Sequence, residues 1–170
     1  MKDNFEQCLA FVLKSEGGFV NNPKDPGGMT NLGVTKKTWE AWVGHEVDEQ
    51  VMRELGPENV APLYKEKYWD AIKGDDLPYG VDYAVFDCAV NAGPSRAIKI
   101  LQRTLDLTED GVLGPVTLKY VQESNARSLA TTYCEDRLTF LQGLPTFETF
   151  GKGWSARVMQ VEEAAFRMID

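Results

Sequence analysis

Glu16 closes a run in which Phe5, Leu9, Val12 and Glu16 recur at the spacing of one helical face. A helix over residues 4–16 would therefore carry its last carboxylate on the side that its apolar residues bury. A carboxyl in such a place is disfavoured as a charge and stays protonated to higher pH than an exposed one. Protonated, it can hand a proton to the leaving oxygen of a glycosidic bond. The plain alternative is a charge in open water at a frayed helix end, and spacing alone does not separate the two. Asp25 and Thr30 follow in the next segment. A second carboxylate can orient a water or stabilise an oxocarbenium-like transition state, and a hydroxyl can hold the same water. Asp25 also begins Asp-Pro-Gly-Gly, a turn sequence in which an Asp often bonds its own backbone, so that role stays open beside the chemical one.

The elements that must position these groups are helices, with few strand signals. Residues 17–35 are rich in Gly, Pro, Asn, Asp and Thr, as in a loop or a short β-hairpin. Thr35 caps a helix through Trp39 and Trp42, Asp48 caps another ending at Gly56, and residues 60–69 read as a third. The run from Tyr79 to Ala92 is apolar on most faces, the pattern of a helix surrounded by protein. Helices are expected from Ser95 to Leu105, from Pro115 to about Ser124, from Arg127 to Leu141, and from Trp154 to Met168. The expected fold is mostly α, with a small Gly/Pro-rich loop or short hairpin after the first helix. With 170 residues, no internal repeat and no low-complexity linker, two sub-lobes fit better than two independent domains.

The 18 Lys and Arg stand against 26 Asp and Glu, a net charge of −8, which argues against a nucleic-acid partner held by phosphate neutralisation. His45 is the only histidine and there is no Cys-x-x-Cys. A metal-dependent site is thus not expected, and no cofactor is called for. Cys8, Cys88 and Cys134 are odd in number, widely spaced and set among apolar neighbours, as buried reduced thiols are. None of them has the setting of a thiolate that could pair with His45 in a cysteine peptidase. No apolar run is long enough for stable membrane insertion, and the first residues have no signal-peptide pattern. Synthesis in the cytoplasm is expected.

The string from Glu16-Gly17-Gly18-Phe19 through Asn21-Asn22-Pro23-Lys24-Asp25-Pro26-Gly27-Gly28-Met29-Thr30-Asn31-Leu32-Gly33-Val34-Thr35 closely resembles the opening motif of glycoside hydrolase family 108, the N-acetylmuramidases of phages and Gram-negative bacteria. Tyr64 to Trp69, Leu77 to Asp87 and Val90-Asn91-Ala92-Gly93-Pro94 are similar to the rest of that family's catalytic segment. Leu101-Gln102-Arg103 through Asp110-Gly111 to Thr117 resembles the predicted peptidoglycan-binding segment that follows it. The resemblance implies a lysozyme-like helical fold, a catalytic segment over 1–93, and a peptidoglycan-binding helical segment over 94–170 packed with it as one compact unit. It implies Glu16 as catalytic acid, peptidoglycan glycan strands as substrate, a monomer, and a phage endolysin acting in the periplasm. An acidic enzyme facing an anionic wall must then bind by hydrogen bonding and shape, or concentrate positive charge locally. The Glu, Asp and Thr order is also similar to that of phage lysozymes of the T4 type. Its Asp-to-Thr step is one residue shorter here, which leaves Thr35 or Asn31 as alternatives to Thr30. The family tends to have Tyr where this chain has Phe19.

Further substrate contacts are expected from Asn31, and from Asp87 and Asn91, four apart on the apolar helix and so on one face. A buried polar pair is the other reading of those two. Tyr64, Tyr68 and Trp69 offer flat faces to sugar rings, or fill the core. Trp154 and Arg157 are assigned to packing, and Asp110-Gly111 to a turn. Two competing functions remain: a non-catalytic peptidoglycan-binding or secretion-associated protein, and a chitinase-like hydrolase of the same chemistry on a different polymer.

Overall fold

A computed structural model of the chain describes residues 4–24 and 28–169. Asp25, with both roles weighed for it, lies outside the described residues. The chain folds into two units, Glu6–Lys67 and Tyr68–Asp170 together with Met1–Phe5. The division falls upstream of the 93/94 boundary expected from the sequence, because the helix before Gly93 packs with the helices that follow it.

In the first unit, α1 (Phe5–Glu16) ends at Gly17, whose φ of 77° stops the helix. The chain then makes a small antiparallel hairpin, β1 (Thr30–Asn31) with β2 (Val34–Thr35), in the register Thr30↔Thr35 and Asn31↔Val34. Val20 widens it by exchanging backbone bonds of 2.7 and 2.8 Å with Thr30. The Thr35 hydroxyl accepts from the Thr38 amide at 3.1 Å and caps α2 (Lys36–Val43). Asp48 caps α3 (Glu49–Arg53) through the Val51 amide at 2.9 Å. This helix stops short of the expected Gly56, because the Gly56 amide donates to Asn59 Oδ1 at 2.7 Å and so belongs to the start of α4 (Pro57–Tyr64). A π turn over Lys65–Trp69 follows, where one continuous helix was expected.

The second unit is built around α5 (Val81–Ala92), in which every residue from Val81 to Ala89 is buried. It packs on α6 (Pro94–Thr104), α8 (Ala126–Gln142) and α9 (Phe147–Ile169), while α7 (Pro115–Glu123) precedes α8. Phe5, Trp69 and Phe86 meet edge to face at centroid distances of 5.3 to 5.9 Å, so Trp69 fills the core and presents no face to a ligand. Helix α9 begins at Phe147, well before Trp154. Glycine is a poor helix former, yet a Cβ at 151 would lie 2.7 Å from the Phe147 ring, so Gly151 permits the close packing of that first turn. Gln102, fully buried, holds the loop before α7: its amide donates to Asp110 Oδ1 (2.8 Å) and the Val112 carbonyl (3.0 Å) and accepts from the Gly111 amide (3.0 Å). The Asp110-Gly111 turn is thus fixed from within.

Cys8, Cys88 and Cys134 are free and buried. Burial pushes the Cys134 thiol up to about 12 and raises Cys88 as well, so neither supplies a thiolate at neutral pH. No described helix is long and apolar enough to cross a membrane.

Asp82, at the start of α5, is wholly buried, and burial lifts its carboxyl to about 6. Bonds from Asn4 Nδ2 (2.8 Å) and from the Tyr83 and Gly80 amides (2.6 and 2.9 Å) pull it part of the way back. A folded-state value above the unfolded one of 3.8 means that the stabilising contribution is full below that value and fades as pH rises through about 6, a swing on the order of 3 kcal/mol. Asp82→Asn should therefore gain melting temperature relative to wild type by several degrees between pH 4 and pH 7. A pH-invariant difference would contradict this account.

Candidate active site

The hairpin after α1 turns through Leu32 and Gly33, with φ of 51° and 78°. Positive φ at both central residues is the geometry of two-residue hairpin turns, which favours Asn or Gly and is costly for a leucine. Tyr64 holds the costly residue in place. Its hydroxyl, arriving from the end of α4, donates to the Leu32 carbonyl at 2.8 Å, and the side chain is 2% exposed.

Gly33 joins the three parts of the site. A Cβ placed there would stand 2.5 Å from the Tyr64 hydroxyl and 3.0 Å from both Cγ and Oε2 of Glu16. The glycine backbone is thus lodged between the tyrosine and the carboxyl, and the last residue of α1, half-buried, sits at the tip of the hairpin. Gly33→Ala should cost on the order of 1–2 kcal/mol from backbone conformation alone and displace the carboxyl by collision. The expected result is a lower melting temperature together with at least a tenfold loss of turnover, measured on the same preparation. Wild-type values for both would contradict the packing described here.

The surrounding loop is tied to α3. The Arg53 guanidinium lies over the Phe19 ring at 4.2 Å from its centroid, and Asn21 Nδ2 donates to Glu49 Oε1 at 3.2 Å. Phe19 therefore serves as a cation-bound platform, a role that needs no phenolic hydroxyl.

Among the sequence candidates, Glu16 and Thr30 belong to this hairpin region. Thr30 is half-buried, and its hydroxyl makes no hydrogen bond among the described residues. The two alternatives to it are already engaged: Thr35 caps α2, and Asn31, 5% exposed, donates its amide to the carbonyls of Met52 (2.8 Å), Leu55 (3.3 Å) and Arg53 (3.4 Å). Asn31 is therefore corrected from substrate contact to an internal tether between β1 and the end of α3. Tyr64 is corrected likewise, because a buried ring cannot stack on a sugar; its hydroxyl positions the turn.

Asp87 is also corrected. It is wholly buried in α5, where Arg137 Nη1 donates to Oδ2 at 2.7 Å and Arg157 Nη2 and Nε bond the same carboxylate, Nε to Oδ1 at 3.1 Å. A carboxylate so enclosed is unavailable to substrate. Arg157, assigned to packing in sequence, is one of the two cations of this ion triad. Asn91 is exposed, with its amide turned back to the Asp87 carbonyl at 3.3 Å. Among the described residues no group of three or more His, Cys, Asp or Glu is placed to hold a metal ion.

No curated protein matches the chain. It is similar to the solved structure of SagA from Brucella abortus, with a TM-score of 0.87 and 42% identity, covering 99% of this chain and 97% of that one. The family model described as Glycosyl hydrolase 108 matches residues 9–93, from the first turns of α1 through the hairpin and Tyr64 to the glycine after α5. With half of its length in that match, the chain belongs to glycosyl hydrolase family 108.

Proposed function

We propose that this glycoside hydrolase is a muramidase, cutting the β-1,4 bond between N-acetylmuramic acid and N-acetylglucosamine in peptidoglycan with Glu16 as general acid. The observation that carries the reading is half-buried Glu16, whose carboxyl lies against the Gly33 turn that the Tyr64 hydroxyl holds from the other side. Glu16 gives its proton to the bridging oxygen as the anomeric C–O bond breaks. Water then adds to the anomeric carbon and its proton leaves to a base. Asp25 is the carboxylate proposed for that second role, and the Thr30 hydroxyl for holding the water.

The biological role that fits is a phage or prophage endolysin, acting as a monomer in the periplasm on the host wall. Mass spectrometry of purified Gram-negative peptidoglycan, digested and then reduced with borohydride, tests the bond specificity. Reduced N-acetylmuramic acid at the new ends is expected. Reduced N-acetylglucosamine there would assign the other linkage, and release of no fragments would leave a wall-binding protein.

A further inference from the structure

The second unit holds a cavity of about 480 Å³ between the end of α5, the C-terminal half of α8 and the start of α9, a volume typical of small-molecule sites. Its walls include Phe140, Leu144 and Trp154, and its polar groups are Asn91, Arg137 and Arg157. Both guanidiniums are bonded to one carboxylate, Asp87, so the three together keep one positive charge. Arg137 commits only Nη1 to that carboxylate. Arg137 lines the cavity and makes no other side-chain hydrogen bond among the described residues. Arg96 stands 4.9 Å above the Phe140 ring but does not line the cavity. In a chain of net charge −8, the Asp87–Arg137–Arg157 group thus places one net positive charge beside an apolar pocket.

A guanidinium fork with a donor edge to spare matches a planar oxyanion. One net positive charge matches a monoanion, where a phosphate dianion would leave the site negative. Asn91 keeps its side-chain oxygen to accept an N–H, and the indole and apolar walls suit small side chains. We propose that this cavity binds the free C-terminal carboxylate of a short apolar peptide, with Arg137 and Arg157 on the carboxylate and Trp154, Phe140 and Leu144 around the body. The site is built within one unit, and its ligand chemistry is independent of glycosidic cleavage by Glu16.

Calorimetric titration with N-acetyl-alanyl-alanine, its C-terminal amide and butanoate tests the assignment. The acid should bind wild type and Glu16→Gln alike, the amide and butanoate at least tenfold more weakly. Leu144→Trp, which fills the cavity and leaves the ion triad intact, should abolish binding without a large fall in melting temperature. Arg157→Gln should weaken it about tenfold. Absence of acid binding, equal binding of acid and amide, or undiminished binding to Leu144→Trp would overturn the proposal. Butanoate binding as well as the peptide would reassign the cavity to small free carboxylates and overturn the peptide assignment.

Discussion

Replacing Glu16 by glutamine is expected to lower the rate of wall lysis by at least about a thousandfold while leaving the melting temperature close to that of wild type. The amide is nearly the same size as the carboxyl, so the contact with Gly33 survives, but it cannot deliver a proton to a departing oxygen. General acid catalysis alone is worth about 10²–10⁴ in rate, and the loss should appear in kcat and kcat/KM equally, because the proton is transferred only in the transition state. Turbidity clearance of cell-wall suspensions gives the rate, and a thermal melt gives the control. Lysis at the wild-type rate would remove Glu16 from the chemistry.

The largest effect on stability is expected at Asp87. Asp87→Asn leaves the guanidiniums of Arg137 and Arg157 facing a neutral amide in the core, and Arg137 is only 4% exposed. Uncompensated buried charge of this kind costs about 3–5 kcal/mol, which for a chain of this size lowers the melting temperature by roughly 10 °C. A melt within a degree or two of wild type would show that solvent compensates the two cations without the carboxylate. The triad also explains how α5, α8 and α9 are held in register: Asp87, Arg137 and Arg157 come from one helix each.

Much of this architecture is written in local signals. Gly17, Thr35 and Asp48 mark helix ends and starts where they were expected, because capping depends on residues a few positions apart. The face shared by Phe5, Leu9, Val12 and Glu16 is likewise a local pattern, although the spacing fits an exposed charge as well and it is the family motif that points to Glu16. What could not be read depends on partners far along the chain. The Tyr64 hydroxyl finds Leu32, and Asp87 finds Arg137 and Arg157, so Tyr64 and Asp87 looked available for sugar when both were already engaged. Asn31 was misread for a related reason, since its amide is consumed by α3 carbonyls that no spacing rule connects to it. The early start of α9 was hidden by Gly151, whose missing side chain makes room for Phe147. Leu32 shows the limit most plainly: hairpin rules would put Asn or Gly at its φ of 51°, and a tertiary hydrogen bond makes leucine tolerable there.

In the proposed reaction, Glu16 supplies a proton to the leaving sugar. That role is tested most directly by comparing wild type and Glu16→Gln on two matched glycosides, one with a sugar leaving group and one with a dinitrophenyl group that departs without protonation. A defect of about a thousandfold or more is expected on the first, shrinking to within about tenfold on the second. An equal defect on both would contradict it.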